Sequence, residues 1–243
     1  MLADRDESLA HLRARLRELE HAARPTEQPP ISTGFSALDA ILPAGGLRPG
    51  TLVEWLAEAP GCGAGSLAVA AAVQVDRTGR TVVVVDGQEE FYPPGAADQG
   101  LDLDRTLLVR TRSARDELWA IDQVLRCRGV GAVLAWPERC DQRTLRRWQL
   151  AIEQCGGLGL LVRPERVRDE PCWADLRLRV ATLPVELPDS QPASSVGRRL
   201  RVELLHGRGA MAGGTVELEL NHETNSLHRP GAKPKDGNRR HAG

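Results

Sequence analysis

Lysine is nearly absent from this chain of 243 residues. It occurs at Lys233 and Lys235 and nowhere earlier, so almost all of the 32 basic side chains are arginine. Chemistry that needs a lysine amine in the body of the chain is excluded. Aromatic residues make up only 3%, so one in an unusual place carries information. No apolar run approaches the roughly 18–20 residues that span a bilayer as a helix. The start carries Asp4, Asp6 and Glu7, unlike the basic start of a signal peptide. A cytoplasmic protein with no membrane partner is the expectation. Cys62, Cys127, Cys140, Cys155 and Cys172 are odd in number and contain no C-x-x-C. Neither a zinc site nor a disulfide framework is expected. The net charge of −1 supplies no global attraction to nucleic acid.

What is present reads as one globular domain with trimmings at both ends. In residues 1–30, Leu9, Leu12, Leu16 and Leu19 recur at helical spacing, which predicts an amphipathic helix over 4–23. Pro25, Pro29 and Pro30 end it in a short linker. Such a helix docks either on its own domain or on a partner. Residues 31–229 read as an α/β domain. Leu52–Leu56, Thr81–Asp86, Leu107–Arg110, Gly131–Trp136 and Leu158–Val162 are predicted strands. T-V-V-V-V-D shows no alternation, as in a parallel strand buried on both faces. Helices are predicted over Ser66–Val75, Asp116–Arg126 and Thr144–Cys155. Strands alternating with helices imply crossovers around a mostly parallel sheet. Leu176–Thr182, Arg199–His206 and Thr215–Asn221 alternate, which predicts antiparallel strands with one wet face. Gly207–Gly214 is the expected turn between the last two. Residues 230–243 are basic, free of aromatics and expected to be disordered.

The segment Ile31–Glu54, I-S-T-G-F-S-A-L-D-A-I-L-P-A-G-G-L-R-P-G-T-L-V-E, resembles the entry to the RecA-family ATPase core. The resemblance rests on Ser32, Thr33, Gly34, Leu38, Asp39, Gly45, Gly46, Leu47, Gly50 and Glu54. It implies a RecA-like core, and a phosphate loop G-x-x-x-x-G-K-[ST] should follow, with amides, a lysine and a hydroxyl for phosphate and Mg²⁺. The chain instead reads Glu58-Ala59-Pro60-Gly61-Cys62-Gly63-Ala64-Gly65-Ser66. If Ser66 is the hydroxyl, Gly65 holds the lysine position. If Gly63 is the second glycine, Ala64 and Gly65 hold the lysine and hydroxyl positions. Gly61, Gly63, Ala64, Gly65 and Ser66 are the candidates for residual anion binding through amides and a helix start. The plainer reading is that the glycines serve a tight turn.

The other positions depart too. The glutamate that activates water falls on Gln88, with Glu89 one residue away. The magnesium-orienting aspartate falls on Trp136, and the γ-phosphate sensor falls on Arg163. No catalytic residue, no metal and no cofactor are expected, beyond weak residual nucleotide binding.

G-A-V-L-A-W-P, L-R-R-W-Q-L-A-I-E, G-L-G-L-L-V-R-P and L-R-V-E-L-L-H-G-R-G resemble ImuA proteins, over roughly residues 30–229. The resemblance implies a role in SOS-linked, error-prone translesion DNA synthesis. It also implies three partners: RecA, a Y-family-like polymerase homologue (ImuB) and an error-prone replicative-type polymerase. Little or no direct DNA binding is expected, because Pro137–Thr144 and Arg163–Trp173 are short for strand-gripping loops. Arg146, Arg147, Arg163, Arg166 and Arg168 read as solvated, interleaved with Glu165, Asp169 and Glu170. His206 and Arg208 are set as contact candidates beside Leu9, Leu12, Leu16 and Leu19, and a homo-oligomer stays open. Two alternatives stand against the accessory-protein reading. One is an ATP-binding, DNA-dependent ATPase of the recombinase type. The other is a SulA-like inhibitor of cell division.

Overall fold

A computed structural model describes residues 28–184, 198–208, 213–221 and 226–228. The described residues build one nine-stranded sheet in the order β3-β2-β4-β5-β1-β6-β7-β8-β9. Its strands are β1 (Thr51–Ala57), β2 (Thr81–Asp86), β3 (Thr106–Arg110), β4 (Val130–Ala135), β5 (Leu158–Pro164), β6 (Leu176–Leu183), β7 (Arg198–Gly207), β8 (Thr215–Asn221) and β9 (Ser226–His228). The helices are α1 (Ser36–Asp39), α2 (Ala64–Asp76), α3 (Pro93–Asp98), α4 (Ala114–Leu125) and α5 (Gln142–Cys155). β1 to β6 form the parallel part, and β6 to β9 are antiparallel to one another. This is the RecA-like α/β architecture expected from Ile31–Glu54.

Two apolar layers sandwich the parallel strands. Val53, Trp55, Val82, Val84, Leu134 and Leu160 pack against α2. Leu52, Val83, Val85, Val133 and Leu161 pack against α4 and α5. The alternation explains why T-V-V-V-V-D is apolar throughout: successive valines feed opposite layers. Local chemistry sets the helix starts. Ser113 accepts from the Asp116 amide to open α4, and Asp141 accepts from the Thr144 amide to open α5. Before β1, Asp39 ties back the Ser32 hydroxyl and the Thr33 amide and hydroxyl. The matched residues around Thr33 and Asp39 therefore form a structural clasp.

Several expectations need correction. β6 runs parallel to β1 and is mostly buried on both faces, so its alternation does not mark a wet side. Its arginines are instead paired within the fold. α2 begins at Ala64 rather than Ser66, α4 begins at Ala114, and α5 at Gln142. α3 and β9 had no forecast. The expected helix 4–23, with Leu9, Leu12, Leu16 and Leu19, lies outside the described residues, as do 230–243 and the middle of the Gly207–Gly214 turn.

Candidate functional site

Between β1 and α2 the chain turns tightly. Gly61 has φ +73° and Gly63 φ +98°, conformations that side chains disfavour. Gly63 caps α2, making Ala64 the first helical residue. In a strand–loop–helix phosphate motif the helix follows the second glycine. That favours the second register: Ala64 stands at the lysine position and Gly65 at the hydroxyl position. Ser66 lies one residue further into the helix.

Apolar side chains pack around this turn. Ala64 is 2% exposed and Cys62 4%, and both belong to the core layer under α2. A Cβ added at Gly63 would stand 2.7 Å from Leu200 Cδ1 of β7. Arg198 of the same strand donates to the Gly61 carbonyl. Trp136, just past β4, lays its indole beside the first turn of α2, its Nε1 3.7 Å from a Cβ built on Gly65. Its ring meets the buried Phe91 at 6.3 Å between centroids, tilted by 47°. Ala64, Trp136, Phe91 and Leu200 thus extend the core to the turn itself.

The segment after β2 closes as a loop. Asp86 is 1% exposed and accepts from the amides of Gln88, Glu90 and Phe91. Gln88 is exposed. Glu89 adopts φ 62° and turns its side chain to Arg110 of β3, 3.3 Å away. Beneath the loop, Glu117 of α4 is 4% exposed. Burial, with Asp86 and Glu138 nearby, pushes its carboxyl up despite a hydrogen bond from the Gly87 amide.

Arg163 is not a solvated cation, as its neighbours in sequence had suggested. It is 1% exposed, on the α4/α5 side of the sheet. It donates to Glu54 Oε1 at 2.6 Å, while Arg177 Nε donates to Glu54 Oε2 at 2.8 Å. Arg177 also bonds the carbonyls of Arg168 and Glu170. Glu170 reaches Arg163 from the surface at 3.5 Å. Burial pushes the Glu54 carboxyl up, but Arg177 and Arg163 outweigh it and hold it below the usual range. Two thiols flank this triad. Burial pushes Cys140 up to about 11. Burial and the Glu54 carboxylate push Cys172, which donates to Glu54 Oε2 at 3.1 Å, up to about 12. The triad ties β1, β5 and β6 together where a sensor was expected.

A cleft of about 570 Å³ opens above Arg163, lined by Glu138, Arg139, Asp141, Thr144, Arg166 and Glu170 among others. Its carboxylates and guanidiniums balance, so it selects neither charge. His206 is exposed, and Arg208 pairs with Asp175 at 3.3 Å. Arg146 stacks on Trp173, 4.5 Å from the ring centroid. Glu54, Arg177, Cys140 and Cys172 were missed as a group. The signal was available: Glu54 interrupts an otherwise apolar strand, and L-R-L-R-V repeats a cation inside another. Among the described residues no cluster of metal-binding side chains forms, and no helix is long and apolar enough to cross a membrane.

Sheet order, loop position and the strand that follows it define a RecA-like fold. A RadB recombinase structure superposes with a TM-score of 0.60, covering 81% of this chain and 98% of that one at 16% identity. RecA of Haemophilus ducreyi is 29% identical over 104 residues, 43% of this chain and 28% of that protein. RecA of Streptomyces venezuelae is 31% identical over 96 residues, 40% and 25% of the two chains. A family model described as the MT3502 N-terminal domain matches residues 40–150. ImuA proteins from two strains of Caulobacter vibrioides are each 29% identical over 210 residues, 79% of this chain and 84% of theirs. The chain is an ImuA homologue with a RecA-like fold.

Proposed function

We propose that this chain is a non-catalytic accessory protein of SOS-linked, error-prone translesion DNA synthesis. It acts by contacts with RecA and with a Y-family-like polymerase homologue, beside an error-prone replicative-type polymerase. The observation that carries the reading is the filled phosphate turn. Phosphoryl transfer depends on a lysine and Mg²⁺ around the β- and γ-phosphates. Here Ala64 occupies the lysine position inside the core, and Trp136 and Phe91 pack where a metal would need oxygen ligands. The amides of a helix start contribute about 0.3–2 kcal/mol toward an anion, too little to replace both. The short 137–144 and 163–173 segments, tied into ion pairs, support a role with little direct DNA binding. RecA-like surfaces pack head to tail, so such a protein fits the end of a RecA filament.

Two measurements test the reading together. Steady-state ATP hydrolysis, with and without single-stranded DNA, is expected at background. Purified RecA is expected to be retained by the immobilised chain. Turnover abolished by changing Gln88 or Glu89 would establish the recombinase-type ATPase instead. Retention of the division GTPase in place of RecA would favour the SulA-like reading.

A further inference from the structure

We propose that β3 is the contact through which two copies of this chain pair, edge strand to edge strand and antiparallel about Leu108. The two sheet edges differ. Among the described residues β9 ends one edge and is three residues long, a short form that templates little. β3 is the other edge, and no described residue pairs with its outer side. Its sequence T-L-L-V-R contains no proline and no lysine, and it follows β2 without a bulge. Proline, lysine and a bulge, three of the devices that blunt an edge, are therefore missing from it, and its one charge, Arg110, is drawn to Glu89. Leu107 shares the α4/α5 face with Val109 yet is 56% exposed. Tyr92, Leu103 and Trp119, on the segments that flank this strand in sequence, are 70%, 39% and 65% exposed. An exposed apolar side chain on an open strand, as at Leu107, marks a contact site.

Charge identifies the occupant as a second copy. Asp102 and Asp104 stand before β3, and Arg110 and Arg112 stand at and after its end. A strand acidic at its start and cationic at its end complements itself when reversed. With Leu108 at the two-fold axis, Leu107 lies opposite Val109 of the other copy. Asp104, in the 3-10 turn Leu103–Arg105 just before the strand, then comes to the same end of the pair as Arg112 of the other copy, at both ends. Neither Asp104 nor Arg112 makes an ion pair among the described residues. A slip to Leu107 at the axis would bring Arg105, in the turn before the strand, toward the Val109 end and would call on Arg110. Those arginines are already engaged, Arg105 with Asp76 at 3.9 Å and Arg110 with Glu89 at 3.3 Å. The contact is isologous and closes at two copies, and it gives the outer main-chain groups of β3 their partners.

Sedimentation velocity of the full chain at low salt, from about 1 to 100 µM, tests this. The mass is expected to rise from 26.4 kDa to twice that value. Leu107→Arg, at an exposed position and checked by circular dichroism, should weaken the dimer about tenfold or more. Asp104→Arg or Arg112→Asp alone sets like charges opposite at two places and should weaken it about tenfold. The double variant Asp104→Arg/Arg112→Asp should recover the affinity, since each new charge meets its opposite. A monomer throughout the range, as when the chain's own first residues cover the edge, would overturn the proposal. So would a dimer indifferent to Leu107→Arg, or a double variant no tighter than the singles.

Discussion

Changing Glu54 to glutamine leaves the guanidiniums of Arg163 and Arg177 facing one another in the core. These side chains are 1% and 4% exposed, so water cannot screen them. The nearest other carboxylate, Glu170, stands 3.5 Å from Arg163 with half of its side chain in solvent. It relieves one cation in part and leaves Arg177 to backbone carbonyls. Removing one partner of a buried ion pair costs about 3–5 kcal/mol, because a charge is left uncompensated. A domain has about 5–15 kcal/mol in total. For a chain of this size each kcal/mol moves Tm by about 2–4 °C, so Glu54→Gln should lower it by about 6–20 °C. Arg163→Met provides the contrast. It leaves Glu54 and Arg177 as a neutral pair and fills the volume with an apolar side chain, so its cost should be smaller. The assay is urea unfolding followed by tryptophan fluorescence, with thermal scans alongside. A loss below about 1 kcal/mol for Glu54→Gln would refute the reasoning, as would Arg163→Met being the more damaging change.

The raised carboxyl of Glu117 makes stability depend on pH with a definite sign. Below its unfolded value of 4.5 the group is protonated in both states and costs nothing. As pH rises through the higher folded value, stability falls, and Glu117→Gln should flatten that slope in unfolding curves between pH 4 and 8. Gly63→Ala forces a side chain into φ +98° and against Leu200. It should cost about 1–3 kcal/mol in the same unfolding assay. Cys140 and Cys172, with thiols held near 11 and 12, should resist maleimide at pH 7 while the exposed Cys127 reacts. Peptide mapping by mass spectrometry would show it, and rapid labelling of Cys172 in the folded protein would contradict the burial argument.

The parallel core was readable because its strands carry uninterrupted apolar runs, and no other local pattern competes with T-V-V-V-V-D or G-A-V-L-A-W. Helix starts were read late. Ser113 and Asp141 cap one turn earlier than the apolar residues begin, and Gly63 caps without a side chain. β6 misled for a different reason. Alternation of leucine and arginine normally separates core from solvent, but Arg177 reaches a buried carboxylate and Arg179 reaches Glu58 and Glu165. That pairing joins residues more than a hundred positions apart, and no local window contains it. Loss of the lysine was plain from the one-letter string. What replaced it was not, because Leu200, Phe91 and Trp136 come from three distant segments.

The aromatic and aliphatic packing over the Gly61–Gly65 turn has a thermodynamic consequence. A protein that binds a ligand only when folded gains stability as that ligand accumulates, so a nucleotide-dependent protein changes with the energy state of the cell. On the proposed non-catalytic reading, a fold whose own indole, phenyl and isobutyl groups pack against the turn draws no such increment. On that same reading its surfaces stay the same whether ATP is scarce or plentiful, and control over its action falls to how many copies are made.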